Sequence, residues 1–115
     1  MSVTIYHNPR CSKSRQTLAL LEENNIQPNV VLYLETPPDE GALKAILKKL
    51  GAGPRKIMRK NEEAYKTLGL GDEKISEAVL ITAMVENPIL MERPIVVKGG
   101  KAAIGRPPEA VLDIL

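Results

Sequence analysis

Cysteine attacks as its thiolate, so the surroundings of the single cysteine, Cys11, decide what chemistry this chain can perform. The stretch His7-Asn-Pro-Arg-Cys-Ser-Lys-Ser-Arg15 surrounds it with His7, Arg10, Lys13 and Arg15. If a helix begins just after Cys11, the unpaired amides of Ser12, Lys13 and Ser14 point toward the loop. The positive end of the helix dipole adds to them, which favours an ionised sulfur and can hold an oxyanion. Cysteine is also a common buried hydrophobe. A proline-bounded, polar and basic loop is a poor place to bury an apolar group, and this favours a reactive Cys11. His7 either satisfies a loop hydrogen bond, or supports the thiolate or orients loop groups without necessarily moving a proton.

Spacing removes two mechanisms. A cysteine phosphatase of the CX5R type needs an arginine where this chain has Thr17, and Arg15 comes too early to let one loop wrap a phosphate. A CxxC dithiol needs a second thiol where Cys11-Ser-Lys-Ser14 has a hydroxyl, and Ser14 cannot form a disulfide. Any thiol redox cycle must therefore borrow its second sulfur. Three further arginines sit at element boundaries: Arg59, Arg93 just before Pro94, and Arg106 just before Pro107. Most lone arginines are solvated surface charges. Arg93 precedes a predicted strand and Arg106 follows its hairpin partner, however, so the two can meet at one end of a sheet, where forked donors suit a tetrahedral oxyanion.

The elements that must position these groups follow from periodicity and breakers. Residues 3–6, Val-Thr-Ile-Tyr, read as a strand stopped by His7-Asn-Pro9, and a helical pattern from Ser14 carries Leu18 and Leu21 on one face. A second strand at 30–33 completes a βαβ unit, whose strands are parallel. Thr36 is expected to cap the next helix with Pro37 at its first position and Leu43, Ile46, Leu47 and Leu50 inward, ending at Gly51. A short helix is expected over 62–68, and another behind Ser76 with Val79, Leu80 and Met84 inward. Residues 94–97 and 101–104 flank Gly99 and Gly100 as an antiparallel hairpin, and a last helix should carry Val111, Leu112 and Leu115. The order βαβ, helical block, ββα predicts an α/β fold. It is a thioredoxin-like mixed sheet with flanking helices and a helical insertion between the second and third strands.

Composition bounds the rest. With 115 residues, 43% hydrophobic and 26% charged, residues 1–115 are expected to form a single globular domain. Sixteen basic against fourteen acidic residues leave a net charge of +2, too balanced for generic nucleic-acid binding. No apolar run reaches the length of a membrane span and no secretory signal opens the chain, so the cytoplasm is the expected location. One cysteine cannot build a cysteine-rich zinc site.

Several segments together resemble the glutaredoxin-dependent arsenate reductase (ArsC) family, and within it the short YfgD-like members. They are the Cys11 loop, Tyr33-Leu-Glu-Thr-Pro-Pro38, Arg59-Lys-Asn61, Asn87-Pro-Ile-Leu90, Glu92-Arg-Pro-Ile-Val-Val97 and Arg106-Pro107, in order over nearly the whole chain. The resemblance implies a nucleophilic Cys11 supported by His7 and Ser14, oxyanion-binding Arg59, Arg93 and Arg106, and a cis peptide at Arg93-Pro94. It further implies arsenate as substrate, glutathione as reducing co-substrate and glutaredoxin as partner, with no bound metal or cofactor, in a chain expected to be monomeric. Two alternatives share the fold: a non-enzymatic regulator of the Spx type that binds RNA polymerase, and a glutathione-dependent thiol oxidoreductase without arsenate activity. Spx-type proteins typically carry CxxC where this chain has Cys11-Ser-Lys-Ser14.

Overall fold

Alternation along Val3–His7 buries Val3, Ile5 and His7 on one side, as expected for a strand with one face against a core. In the computed structural model, which describes residues 2–115, this strand (β1, Val3–His7) is followed by α1 (Ser12–Glu23) and β2 (Asn29–Leu32). Three helices come next, α2 (Glu40–Leu50), α3 (Glu63–Thr67) and α4 (Glu77–Glu86), and then the hairpin β3 (Ile95–Lys98) and β4 (Lys101–Ile104). Short 3-10 turns lie at Pro54–Ile57, Pro88–Leu90 and Pro108–Ile114.

The sheet is mixed, in the order β2-β1-β3-β4. β1 runs parallel to β2 and antiparallel to β3, and β3 is antiparallel to β4. Register then does the positioning. His7 pairs with Leu32, Tyr6 with Ile95, and Ile95 with Ile104. The exits of β1, β2 and β4 and the entry to β3 therefore lie at one end of the sheet. That end carries the Cys11 loop, Arg93 and Arg106.

The chain divides into two compact units: residues up to Thr36 together with Arg93–Leu115, and Pro37–Glu92. In the first, Val3, Ile5, Leu21, Val96 and Val111 form the core, with Leu18, Leu20, Ile26, Ala103, Ile114 and Leu115 packed on it. Each fully buried aliphatic side chain there contributes about 1.5–3 kcal/mol. In the second, α2 packs on α4, and Leu43, Ile46, Leu47, Leu80, Ile81 and Met84 are buried. That unit is the helical insertion between the second and third strands.

Local chemistry moves some boundaries from their expected places. The second helix starts behind Asp39, whose carboxylate accepts the Ala42 amide at 2.8 Å, and not behind Thr36. Pro38 disfavours helical geometry at Pro37, so the chain stays extended until the prolines are passed. Gly51 ends the helix in the left-handed region, at φ 67°. Ser76 caps α4 as expected, but Val79 is exposed, because the buried stripe runs through Leu80, Ile81, Ala83 and Met84. The last segment is a 3-10 helix and not an α-helix. Its three-residue repeat turns Pro108 and Val111 inward with Ile114 half-buried, while Leu112 faces solvent. β3 begins at Ile95, since Pro94 has no N–H for the ladder.

One glycine matters for the site. A Cβ on the buried Gly105 would lie 2.6 Å from Thr17 Oγ1 and 2.7 Å from Pro94 Cγ. Thr17 is fully buried, with its hydroxyl donating to the Lys13 carbonyl at 2.8 Å, so α1 cannot easily retreat. Gly105→Ala is expected to destabilise the protein by about 1–3 kcal/mol through overpacking, measured as a lower urea midpoint with unchanged slope.

Candidate active site

The Cys11 loop is a turn locked at both ends by hydrogen bonds. The Cys11 amide donates to the Asn8 carbonyl at 3.0 Å, and the Arg10 amide donates to Asn8 Oδ1 at 3.0 Å. The Arg15 guanidinium reaches back to the Pro9 carbonyl at 2.9 Å. Cys11 itself is the N-cap residue of α1, with extended φ and ψ of −93° and 123°, and its carbonyl accepts the Arg15 amide at 3.0 Å. The helix thus starts at Ser12, earlier than its hydrophobic pattern suggests. The amides of Ser12, Lys13 and Ser14 have no carbonyl one helical turn back to bond. No acidic side chain occupies the first turn to neutralise that end.

Contrary to the expectation that a polar, basic loop would leave it open, Cys11 is buried, at 9% exposed, with the Arg106 guanidinium against its sulfur. Its partner is Arg106, whose guanidinium donates to Cys11 Sγ at 3.4 Å. The same guanidinium is held from behind, since Arg106 Nε donates to the Arg93 carbonyl at 2.8 Å. The Gly105 amide donates to the Pro94 carbonyl at 2.9 Å, which ties the exit of β4 to the entry of β3. Both Arg93-Pro94 and Arg106-Pro107 are cis peptides. Cys11, Arg93, Pro94 and Arg106 therefore come together at one sheet end, with a positively charged donor on the sulfur.

His7 and Ser14 meet beneath the loop. Both are buried, and His7 Nδ1 lies 2.6 Å from Ser14 Oγ, which also accepts the Asn8 amide at 3.0 Å. A neutral ring whose Nδ1 accepts the serine proton satisfies both bonds. Burial, and secondarily the nearby Arg15 charge, holds the His7 pKa below its ordinary 6.5. At neutral pH His7 therefore adds no positive charge to the loop. Its observed contact is with Ser14, a support from below.

Arg59 lies in the inserted unit, just after the bridge between Met58 and Met91. Its amide donates to the Leu90 carbonyl at 2.7 Å, and its guanidinium is paired with Glu62 and, at 3.8 Å, with Glu92. Among the described residues no group of three or more His, Cys, Asp or Glu side chains could hold a metal ion, and no helix is long and apolar enough to cross a membrane.

The positioning roles of Gly105 and Arg15 depend on contacts that the sequence does not encode locally. Gly105 has a signal, a glycine at a strand exit beside a charged Xaa-Pro, but its reason is the approach of Thr17 and Pro94 across the fold. Arg15 stood out as a charge near the sulfur, whereas its role in the geometry is to clamp the Pro9 carbonyl.

The model of the ArsC family matches residues 6–114. The chain belongs to the ArsC family. It is 62% identical over 114 residues to the uncharacterized protein YfgD of Escherichia coli, covering 98% of this chain and 96% of that one. It is 54% identical over 116 residues to an arsenate reductase of Haemophilus influenzae, across the whole of both chains. Among solved structures, an arsenate reductase from Vibrio cholerae superimposes with a TM-score of 0.97 at 57% identity, covering 100% of this chain and 98% of the other. The mixed sheet with flanking helices is thus the thioredoxin-like α/β fold of ArsC proteins.

The His7 geometry carries a pH dependence. Since the folded state holds its proton less tightly than the unfolded state, the unfolded chain binds more protons just below pH 6.5. The stability due to a neutral His7 is complete above that value and falls as the pH drops toward the lower native pKa. Urea titrations at a series of pH values are expected to show this decline in the wild type and its loss in His7→Gln.

Proposed function

We propose that the chain is an oxidoreductase that reduces arsenate to arsenite through Cys11, with glutathione and glutaredoxin supplying the electrons. The observation that carries this reading is the Arg106 guanidinium on Cys11 Sγ, anchored in turn on the Arg93 carbonyl. The sulfur and a forked guanidinium donor share one small space, which supports attack on a tetrahedral oxyanion. The arsenate reductase names of relatives at 50–54% identity support the substrate.

In the proposed cycle the Cys11 sulfur bonds to the arsenic of the arsenate monoanion. One arsenic–oxygen bond breaks, and its hydroxyl leaves as water with a proton taken from solvent, the sulfur having attacked as its thiolate. The oxygens of the resulting thiol-arsenate adduct are neutralised by Arg93, Arg106 and the amides at the start of α1. The thiol of glutathione then attacks the Cys11 sulfur. The sulfur–arsenic bond breaks with its electron pair going to arsenic, so pentavalent arsenic becomes trivalent. The glutathione proton passes to an arsenic-bound oxygen, and arsenite leaves from a Cys11–glutathione disulfide. The external thiol is needed because Cys11 is the chain's single cysteine. Glutaredoxin thiol takes the glutathionyl group and restores Cys11 by thiol–disulfide exchange. A cytoplasm that keeps glutathione reduced is the fitting compartment. His7 and Ser14 hold the loop that presents Cys11. Arg59 is a further proposed oxyanion donor, on the strength of its family motif.

A coupled assay with arsenate, glutathione and glutaredoxin tests the reading. Wild type should consume reducing equivalents in proportion to arsenate, and Cys11→Ser should show none above background. Glutathione oxidation independent of arsenate would move the assignment to a plain thiol oxidoreductase. Arg106→Lys is expected to lower kcat/KM for arsenate by roughly 100-fold, the scale of losing one oxyanion donor, because an ammonium cannot reproduce the fork that spans Arg93 and the sulfur. Arg93→Lys and Arg59→Ala should each raise the arsenate KM. Unchanged arsenate kinetics in any of these variants would remove that arginine from the site.

A further inference from the structure

On the β2 side of the Cys11 loop lies a cavity of about 260 Å3, lined by His7, Asn8, Pro9, Arg10, Leu32, Leu34 and Glu35. It is distinct in composition from the Arg93 and Arg106 side of the loop. Leu32 and Leu34 are 36% and 44% exposed, an apolar wall left open beside the nucleophile's loop. Arg10 and Glu35 bring opposite charges to the same cavity, yet among the described residues neither forms an ion pair. Two unpaired opposite charges flanking an apolar wall match a ligand that is itself a zwitterion with a short hydrocarbon chain. The volume falls just under the range of drug-sized ligand pockets, about 300–1,000 Å3, and suits an amino-acid-sized group.

We propose that this cavity holds the γ-glutamyl end of the reducing peptide thiol. Its α-carboxylate pairs with the Arg10 guanidinium, its α-ammonium with the Glu35 carboxylate, and its methylenes cover Leu32 and Leu34. This deepens the arsenate reductase reading and rests on it for the identity of the ligand. The placement suits that ligand because the wall of the cavity ends at Arg10, the residue before Cys11, and consecutive Cα atoms are only about 3.8 Å apart. A tripeptide anchored by its glutamyl end can swing its central thiol to the Cys11 sulfur while Arg93 and Arg106 retain the oxyanion from the other side. Neither Arg10 nor Glu35 has a part in the oxyanion site, so their effect should fall on the thiol alone. The shape of the turn supports this, as the Glu35 and Thr36 amides both donate to the Leu32 carbonyl, at 2.9 and 2.8 Å, and hold Glu35 against the cavity.

The test is an amide NMR titration of the full chain with S-methylglutathione, a thioether that cannot react, in the absence of arsenate. Chemical shifts should move at Asn8, Arg10 and residues 32–35. Arg10→Gln and Glu35→Gln should each weaken binding about tenfold, the scale of one charge-assisted contact. In the coupled assay the same variants should raise the glutathione KM by a similar factor and leave the arsenate KM unchanged. Free glutamate should bind more weakly than S-methylglutathione. Shifts confined to other surfaces, wild-type affinity in both variants, or glutamate binding as tightly as the thioether would each overturn the proposal. The NMR arm contains no arsenate, so a chain that fails to reduce arsenate leaves this result standing. Conversely, a chain that reduces arsenate but shows no shifts in the cavity loses only the thiol site.

Discussion

The site depends on one close approach, that of Gly105 to Thr17 and Pro94. There is no room for a side chain between them, so the exit of β4, the first turns of α1 and the entry of β3 are held at van der Waals distance. Arg106 follows directly, and its guanidinium can then span from the Arg93 carbonyl to the Cys11 sulfur. A guanidinium is planar and rigid, so its two ends report and enforce the distance between the loops they touch. Were the approach looser, the same residues would be a surface arginine and a lone thiol.

The remaining architecture serves that approach. The pairing of β1 with β2 and β3 sets the Cys11 loop and Arg93 at one end of the sheet, and the core of Val3, Ile5, Leu21, Val96 and Val111 keeps α1 against it. The buried His7 and Ser14 pair braces the loop from below, and Arg15 clamps it from the helix side. With His7 neutral, the fixed positive character of the loop comes from the guanidinium on the sulfur and the open helix terminus.

Much of this was visible along the chain. Apolar spacing marked the helices and strands, because burial of one face is a local property of sequence. The hairpin turn was legible because Gly99 sits at φ 58°, where other residues are strained. The apolar residues at the end of the chain fit either helical period, and only packing against the sheet selects the three-residue repeat. Thr36 and Asp39 are both good caps for α2, and the prolines between them decide in favour of Asp39.

By itself the sequence determined the chemistry on offer: one sulfur, no resolving thiol, a helix start beside it and arginines at strand ends. Those are statements of residue type and spacing, which need no fold. Which arginine meets the sulfur, and through what support, was decided only in three dimensions. Cys11 and Arg106 are far apart along the chain and meet across strands whose register no local pattern encodes. The need for Gly105 has the same origin, since a forbidden Cβ is defined by atoms from distant segments. Long-range sterics and hydrogen-bond geometry exist only once the sheet has formed.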